Sequence, residues 1–225
     1  PCVIFNRGGN NSRRSLLKVG HGFVTLGQIA KEGYIVIASQ YREGAGSEGK
    51  DEFGGNDVND VLALIDILDE IEGADTERIG MYGWSRGSIM TFRALTQTDR
   101  IDAAIVGGTV SDCFLSIENR PEMETVYSRL IPDYASQKEK ALEERSAIKW
   151  VDEFPANVPI LMLHGSEDWR THPMQAQKLA DEFKKHEIPH KLIMYEGGNH
   201  GLTEHREEVN KESIEWFDTY LKELK

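Results

Sequence analysis

The sequence predicts an α/β fold, in which a mostly parallel sheet carries helices on both of its faces. Six short apolar runs have the length and composition of buried strands, and they alternate with segments of helical periodicity. The runs are apolar throughout, which is typical of parallel strands that are covered on both sides. No stretch rich in proline, glycine and serine divides the 225 residues, so we expect one domain over residues 1–225.

The predicted elements follow one another in a regular order. Strands are predicted at residues 2–5, 34–38, 79–82, 103–106, 159–163 and 191–195. Helices are predicted at residues 23–31, 58–68, 88–95, 173–186 and 205–224, and a long glycine-rich loop at residues 41–56. The helix at 58–68 has the clearest pattern. Val61, Ile65 and Leu68 share one face, and Asp57 and Asp60 stand at its amino end, where carboxylates are favourable.

Residues 111–150 interrupt this alternation. The stretch is polar and of mixed helical character, with apolar and aromatic side chains scattered through it. Because an insertion of this length between strands usually has a function, we expect a cap or specificity element over the functional site. The alternative is a surface insertion that has no role in the functional site.

The charge and the cysteines limit the partners and the compartment. Lysine and arginine number 26 against 38 aspartate and glutamate, a formal net charge of −12. Nucleic acid and anionic membranes require a basic face, so neither is expected as a partner, whereas a homo-oligomer stays open. No apolar run approaches the roughly 20 residues of a membrane span, and no signal-peptide pattern is visible, although the chain opens on Pro1. Cys2 and Cys113 are expected to be buried thiols of a cytoplasmic protein, with one disulfide as the alternative.

The strongest motif is G-x-S-x-G at Gly83, Ser85 and Gly87. It lies between an apolar strand and a helical segment, and this is the context in which the motif forms a nucleophile elbow. In such an elbow the serine sits on a sharp turn with its hydroxyl exposed above the sheet. The flanking glycines are expected because side chains there would collide with the neighbouring strand and helix.

A serine nucleophile requires a base that removes its proton and an acid that orients the base. Both are expected in loops at the carboxyl ends of later strands. Asp168 follows the strand at 159–163, and His200 follows the strand at 191–195. The order serine, acid, histidine matches that of α/β-hydrolases. Glu167 is a rival for the acid, and His164 is interpreted as a side chain that shapes the loop.

These motifs together resemble the catalytic domain of the prolyl-oligopeptidase family of serine peptidases, which includes acylaminoacyl peptidases and dipeptidyl peptidases. The stretches that carry the resemblance are FNRGGN at 5–10, YREG at 41–44, GNDVND at 55–60, GWSRG at 83–87, Asp112, HGSED at 164–168 and GNHG at 198–201. The resemblance implies an α/β-hydrolase fold whose helical insertion at 111–150 precedes the family's seventh strand. It implies Ser85 as nucleophile, Asp168 as acid and His200 as base. An oxyanion hole is implied at the backbone N–H of Arg86 and of Gly9, or Gly8.

The sequence also departs from the family pattern. Arg7 and Asn10 replace a usual histidine and proline, and Ser88 and Ala147 replace a common glycine and a common proline. The resemblance begins at the family's third strand. We therefore expect the N-terminal strands and any β-propeller to be absent from this chain.

Candidate substrate contacts lie in the insertion and beside the nucleophile. Phe114, Tyr127 and Tyr134 of the insertion are candidates for an apolar pocket, and Trp84 beside the nucleophile is interpreted mainly as packing. Arg7 would recognise a substrate carboxylate together with Arg86. The alternative, which we favour, is that both arginines pair with Asp57, Asp60 or other acids and brace the elbow.

Two further motifs fail on physical grounds. H-E-x-x-H at residues 186–190 would hold zinc only if both histidines lay one turn apart on a helix, and Pro189 prevents this. G-x-G-x-x-G at residues 44–49 lacks the helix that a dinucleotide site requires directly after it. We therefore expect neither a metal nor a cofactor.

The resemblance implies a serine hydrolase that cleaves peptide bonds through an acyl-enzyme on Ser85, with a peptide or a small acyl compound as substrate. The same three side chains cleave esters, so a carboxylesterase that acts on small esters is the first alternative. A non-catalytic binding protein of the same fold is the alternative from another class, because a fold does not dictate a function.

Overall fold

A computed structural model describes residues 1–10 and 20–222 of the chain. Its centre, within these residues, is a six-stranded sheet in the order β2-β1-β3-β4-β5-β6, in which every neighbouring pair is parallel. The strands are β1 (Cys2–Asn6), β2 (Ile35–Ala38), β3 (Ile79–Trp84), β4 (Ala103–Gly107), β5 (Ile160–Gly165) and β6 (His190–Tyr195). All six predicted strands are confirmed, with ends that differ by one or two residues.

Helices connect the strands. They are α1 (Gly20–Lys31), α2 (Asn59–Asp69), α3 (Arg86–Leu95), α4 (Cys113–Asn119), α5 (Glu122–Leu130), α6 (Tyr134–Glu143), α7 (Met174–Lys185) and α8 (Arg206–Phe217). The five predicted helices are confirmed as α1, α2, α3, α7 and α8. The last is shorter than predicted as an α-helix, because a π-helical turn, Asp218–Lys222, continues it. The predicted end at residue 224 lies outside the described residues.

The two faces of the sheet bury separate hydrophobic clusters. Successive side chains of a strand point to opposite faces, so β1 sends Cys2 and Ile4 to one cluster and Val3 and Phe5 to the other. The first cluster includes apolar side chains of α2, α3 and α7, and the second includes those of α1 and α8. Helices therefore cover both faces, as the uniformly apolar strands predicted.

The insertion between β4 and β5 contains α4, α5 and α6 and builds a third cluster around Tyr127. Phe53, from the loop before α2, joins this cluster and packs edge-on against Tyr127 at a centroid distance of 5.1 Å. Buried Arg145 ties the same two segments together, because its Nε donates to the carbonyl oxygens of Glu52 and Phe53, each at 3.1 Å. The insertion is thus packed against the loop that precedes α2.

Cys2 and Cys113 are both buried and free, so the two-thiol expectation holds and the disulfide alternative is wrong. Burial raises the pKa of Cys113 to about 11. Among the helices at residues 20–222, none is both long and apolar enough to cross a membrane.

Candidate active site

Ser85 occupies a strained turn between β3 and α3. Its φ of 56° and ψ of −123° lie outside the regions that residues with a side chain normally adopt. Both glycines of the motif are sterically required. A Cβ on Gly83 would overlap the carbonyl oxygen of Gly87, and one on Gly87 would overlap that of Asn6. The strand, elbow and helix predicted from G-x-S-x-G are confirmed.

Hydrogen bonds hold this turn against the adjacent strand. The Ser85 N–H donates to the carbonyl oxygen of Gly107 at 2.7 Å. The hydroxyl of Ser88 donates to the Ser85 carbonyl oxygen at 2.7 Å and accepts the Val110 N–H at 2.8 Å. Ser88, one of the departures from the family pattern, thereby connects the elbow to the loop after β4.

Asp168 and His200 form a hydrogen-bonded pair. Nδ1 of His200 lies 2.7 Å from Oδ2 of Asp168 and donates to it, because a carboxylate only accepts. The other oxygen, Oδ1, accepts the backbone N–H groups of Arg170 and Thr171, each at 2.9 Å. Glu167, the rival acid, is exposed, and its backbone N–H donates to the carbonyl oxygen of Gly198.

The Asp168 carboxylate is buried and ionised. Burial alone would raise its pKa, but the hydrogen bond and the charge of His200 and the N–H of Thr171 outweigh burial. The pKa of Asp168 consequently lies below its ordinary value. A charged, immobilised acceptor then fixes the orientation of the His200 ring. In the neutral ring it keeps the proton on Nδ1 and leaves Nε2 as the acceptor atom.

His164 braces the loop that carries Asp168. Its Nδ1 accepts the Thr109 N–H at 3.2 Å, and its Nε2 lies 2.8 Å from the carbonyl oxygen of Thr171 and donates to it. Burial, opposed by Thr171 and Asp168, lowers the pKa of His164, so the side chain is neutral. This geometry agrees with the interpretation of His164 as a loop-shaping residue.

Trp84 and Gly108 position the loop of His200. The Trp84 Nε1 donates to the carbonyl oxygen of His200 at 3.0 Å, and its ring stacks on Tyr82 at a centroid distance of 6.3 Å. Gly108 has a φ of 50°, and a Cβ on it would lie only 2.9 Å from Cε1 of His200. The imidazole therefore rests directly on the backbone that follows β4.

The glycine pair after β1 lies beside the nucleophile. A Cβ on Gly8 would come within 3.0 Å of Cβ of Ser85, so the backbone passes the serine at van der Waals distance. Gly9 has a φ of 92°, and its carbonyl oxygen accepts from Nη1 of Arg86 at 3.4 Å. The Arg86 N–H belongs to the first turn of α3, where backbone donors have no partner within the helix.

The two arginines near the elbow are structural in different ways. Buried Arg86 forms ion pairs with Asp57 and, at 2.5 Å, with Asp51. Arg7 instead donates to the backbone carbonyl oxygens of Gln40 and Gly8. The expectation that these arginines pair with acids and brace the elbow is thus confirmed for Arg86. Arg7 makes no ion pair within the described residues. Asp60, the other expected partner, pairs with Arg42 at 2.8 Å.

A cavity of about 480 Å³ brings most of the predicted site residues together. Those that line it are Arg7, Gly8, Gly9, Trp84, Ser85, Arg86, Tyr127 and His200. Asp168 lies buried behind His200. Phe114 and Tyr134, the other candidate substrate contacts, are not among the lining residues. Tyr134 is buried in the third cluster and Phe114 packs against that cluster. The side chain of Tyr134 faces the interior of the insertion because it supplies part of its small core, and half-buried Phe114 packs against that core.

Several residues of the site escaped the sequence reasoning. Asp51, the second partner of Arg86, lies in a glycine-rich loop that has no periodicity. Arg120 of the insertion and Arg170, two residues after Asp168, both line the cavity. The proximity of Arg170 to Asp168 in the sequence was the one available signal. Arg120 could not be found because its position depends on how the insertion folds back.

The residues of the H-E-x-x-H string at 186–190 do not form a helix. The α7 helix ends at Lys185, Glu187 has a φ of 57°, and β6 begins at His190. The histidines of this string therefore lie on different elements, as the position of Pro189 predicted.

A parallel sheet with an elbow serine after β3 and an acid–histidine pair after β5 and β6 defines a protein of the α/β-hydrolase fold. Comparison with known proteins identifies the family within this class. The model of the prolyl oligopeptidase family matches residues 23–224, and the chain belongs to that family. The resemblance seen in the sequence is confirmed.

Individual proteins to which the chain is similar are also peptidases by name. The chain is similar to YuxL of Bacillus subtilis, named as an uncharacterized peptidase, with 30% identity over 98% of this chain and 35% of YuxL. Among solved structures, it resembles a Mycobacterium tuberculosis puromycin-hydrolyzing peptidase with a TM-score of 0.80 and 26% identity, covering 98% of this chain and 34% of that one. It has the fold of the Pyrococcus horikoshii acylaminoacyl peptidase, with a TM-score of 0.81, 23% identity and coverage of 100% and 38%. The chain thus spans about a third of each of these proteins.

Proposed function

We propose that this chain is the catalytic domain of a serine peptidase that cleaves peptide bonds through an acyl-enzyme on Ser85. One observation carries the proposal: Ser85, on its strained elbow, and His200, anchored to Asp168, line the same cavity. A hydroxyl, an imidazole and a buried carboxylate are the groups that acyl transfer requires. Membership of the prolyl oligopeptidase family supports peptides as the substrates.

In the proposed reaction, His200 acts first as base. Because Nδ1 carries the proton donated to Asp168, Nε2 is free to accept the Ser85 proton as Oγ attacks the substrate carbonyl. The imidazolium that forms is stabilised by the charge of Asp168. It then protonates the leaving amine as the carbon–nitrogen bond breaks, and an acyl ester remains on Ser85. Water, deprotonated by the same nitrogen, attacks this ester and regenerates the hydroxyl.

The negative charge of the tetrahedral intermediate requires fixed donors. We assign the backbone N–H of Arg86, in the first turn of α3, as one donor and that of Gly9, or Gly8, as the second. The closeness of the Gly8 backbone to Ser85 supports this assignment. The ion pairs that Arg86 makes with Asp51 and Asp57 fix the turn from which its amide points.

The insertion at 111–150 is proposed to act as the cap of the site. Ser116, Arg120, Met123 and Tyr127 of this segment line the cavity, together with Phe53, which packs on Tyr127. Phe53, Met123 and the ring of Tyr127 form the apolar part of this wall, which would bind an apolar substrate group. The cytoplasmic location expected from the sequence belongs to this proposal as well, whereas a homo-oligomer stays open.

A fluorophosphonate probe tests the nucleophile. The parent chain is expected to be labelled, and Ser85→Ala and His200→Ala are expected to lose the label. Ser136→Ala, at an exposed position on α6, is the matched control and keeps it. Labelling that persists in Ser85→Ala would contradict the assignment, and an unlabelled parent would support a non-catalytic binding protein. Turnover of acylaminoacyl nitroanilides against short-chain nitrophenyl esters then separates a peptidase from a carboxylesterase.

A further inference from the structure

Arg7 is almost completely buried, with 1% of its surface exposed, yet within the described residues its guanidinium forms no ion pair. Nε and Nη2 donate to the carbonyl oxygen of Gln40, at 3.2 and 2.6 Å, and Nη1 donates to that of Gly8 at 3.2 Å. The guanidinium carbon lies 4.8 Å from the centre of the Tyr41 ring. The side chain therefore joins the loop after β1 to the loop after β2.

The positive charge of Arg7 is unfavourable in this buried position, because a buried charge needs a partner. Asp51 and Asp57, the buried carboxylates near the elbow, are both bound by Arg86. Burial, with the charge of Arg86 as a smaller cause, lowers the pKa of Arg7. Because backbone oxygens are the acceptors that this guanidinium binds, its contribution to the site is to fix those backbone groups.

One of these groups is the peptide that joins Gly8 to Gly9. A Cβ on Gly8 would lie 3.0 Å from Cβ of Ser85, so this peptide passes close to the nucleophile. In a trans peptide the C=O and the N–H point in opposite directions. The hydrogen bond from Arg7 to the Gly8 oxygen therefore also fixes the direction of the Gly9 N–H, for which the described part of the chain supplies no backbone acceptor. We propose that Arg7 is a positioning residue of the oxyanion hole, which aims the Gly9 N–H at the oxyanion through the Gly8 carbonyl.

The backbone of Gly9 requires such a restraint. Its φ of 92° lies in the region that favours glycine, and glycine has more backbone freedom than any other residue. The carbonyl oxygen of Gly9 accepts from Nη1 of Arg86 at 3.4 Å, so guanidinium groups hold the backbone on both sides of its α-carbon. This inference rests on the proposed hydrolase function and assigns Arg7 a part in it.

The expected effect of Arg7 is on the chemical step. Removal of one oxyanion donor lowers kcat by about 10²–10³-fold. Arg7→Met leaves the Gly9 N–H in place but releases its direction, so we expect a smaller loss, of about tenfold to a hundredfold. Arg7→Lys has one ammonium in place of the planar fork that binds Gln40 and Gly8, and its rate should lie between those of the parent and Arg7→Met.

Gly44→Ala tests the same hydrogen bond without changing Arg7. An added Cβ would lie 2.9 Å from Nη2 of Arg7, the end of a flexible side chain. The protein can therefore fold while the guanidinium is displaced, and we expect a loss of about threefold to tenfold. Gly27→Ala, with no heavy atom of the described chain within 4 Å of its Cβ, is the matched control. Arg42→Met, at the partly exposed pair with Asp60, is the control for the arginine variants.

Fluorophosphonate labelling of the full chain measures the effect. Oγ of Ser85 bonds to phosphorus, its proton passes to Nε2 of His200, fluoride leaves, and the phosphoryl oxygen gains negative charge in the transition state. Rates at several probe concentrations separate the limiting rate, kinact, from the half-saturating concentration, KI. In Arg7→Met and Gly44→Ala, kinact should fall while KI stays within about twofold of the parent. The pH of half-maximal labelling should not change, because the described hydrogen bonds of Arg7 go to Gln40 and Gly8.

A kinact of Arg7→Met within about twofold of that of Arg42→Met would overturn the inference. A loss confined to KI, or a shifted pH profile, would also overturn it. Circular dichroism shows whether each variant is folded; if Arg7→Met is not, a parental kinact in Gly44→Ala overturns the inference. The hydrolase proposal is judged on the parent. An unlabelled parent refutes both proposals, whereas a labelled parent with an unchanged kinact in Arg7→Met refutes the role of Arg7 alone.

Discussion

The indole Nε1 of Trp84 donates a 3.0 Å hydrogen bond to the backbone carbonyl oxygen of His200. Trp84 is the last residue of β3, directly before Ser85, whereas His200 lies in the loop after β6. The residue that precedes the proposed nucleophile thus holds the loop of the proposed base. Two sites that are far apart in the sequence are connected by one side chain.

Replacement of Trp84 tests this connection. Trp84→Phe keeps an aromatic ring against Tyr82 and removes the donor to His200. Loss of one hydrogen bond of about 1 kcal/mol should release the His200 loop and lower the rate of fluorophosphonate labelling by about fivefold. The rate of fluorophosphonate labelling measures the effect, and Trp216→Phe on α8 is the control. A Trp84→Phe rate equal to that of the control would show that the bond does not position His200.

Asp168→Asn should lower the activity far more than Trp84→Phe does. The amide can present its NH₂ group to Nδ1 of His200 and favours the tautomer that cannot accept the Ser85 proton, so kcat is expected to fall about 10⁴-fold. Glu167→Gln, at the exposed neighbouring position, should stay within threefold of the parent. Steady-state kinetics of both variants decide between the two acids. A larger loss in Glu167→Gln would assign the acid to that residue instead.

The buried ion pairs of Arg86 should dominate local stability. Arg86→Met leaves Asp51 and Asp57 buried without their shared cation, and we expect a loss of about 3–5 kcal/mol in the free energy of unfolding. Arg42→Met removes a partly exposed pair with Asp60 and should cost about 1 kcal/mol or less. Urea denaturation of the two variants gives the comparison. Similar losses of unfolding free energy in the two variants would mean that the buried pairs of Arg86 stabilise the protein no more than the partly exposed pair of Arg42.

Two glycine-to-alanine substitutions should have opposite effects. In Gly87→Ala, the new Cβ overlaps the Asn6 carbonyl oxygen, and a loss of about 3 kcal/mol or more is expected. Gly27 lies in α1 with no heavy atom of the described chain within 4 Å of an added Cβ. Gly27→Ala should therefore stabilise the protein by up to about 1 kcal/mol. Thermal unfolding measures both, and a tolerated Gly87→Ala would refute the steric account of the motif.

His164 should make the protein less stable in acid. Its folded-state pKa is lowered, chiefly by burial, so the unfolded chain takes up the proton first as the pH falls. Stability is then lost below the ordinary histidine pKa of about 6.5, by at most about 1.4 kcal/mol per pH unit. His164→Gln should reduce this loss between about pH 7 and about pH 5, whereas exposed His186→Gln should not. Identical pH slopes in urea unfolding for parent and His164→Gln would contradict the prediction.

Local sequence patterns were sufficient to predict the strands of the sheet and the helices that cover it. The β1 strand was recognised from four consecutive apolar residues, and α2 from the spacing of Val61, Ile65 and Leu68, because these patterns reflect burial on a sheet or on one helix face. The insertion was less predictable. Its helices pack on one another and on Phe53, so the inward direction of Tyr134 depends on contacts that no local pattern encodes.

The sequence by itself determined the α/β fold, the family and the elbow serine, because apolar runs, helical periodicity and short motifs such as G-x-S-x-G are patterns among neighbouring residues. It also named Asp168 and His200 as candidates, from their places at the ends of strands. Only the tertiary structure decided that Asp51 shares Arg86 with Asp57, and that Arg120 and Arg170 meet over Trp169. Those pairings join segments that are far apart in the chain, and only the folding of loops and insertion over the sheet brings them together.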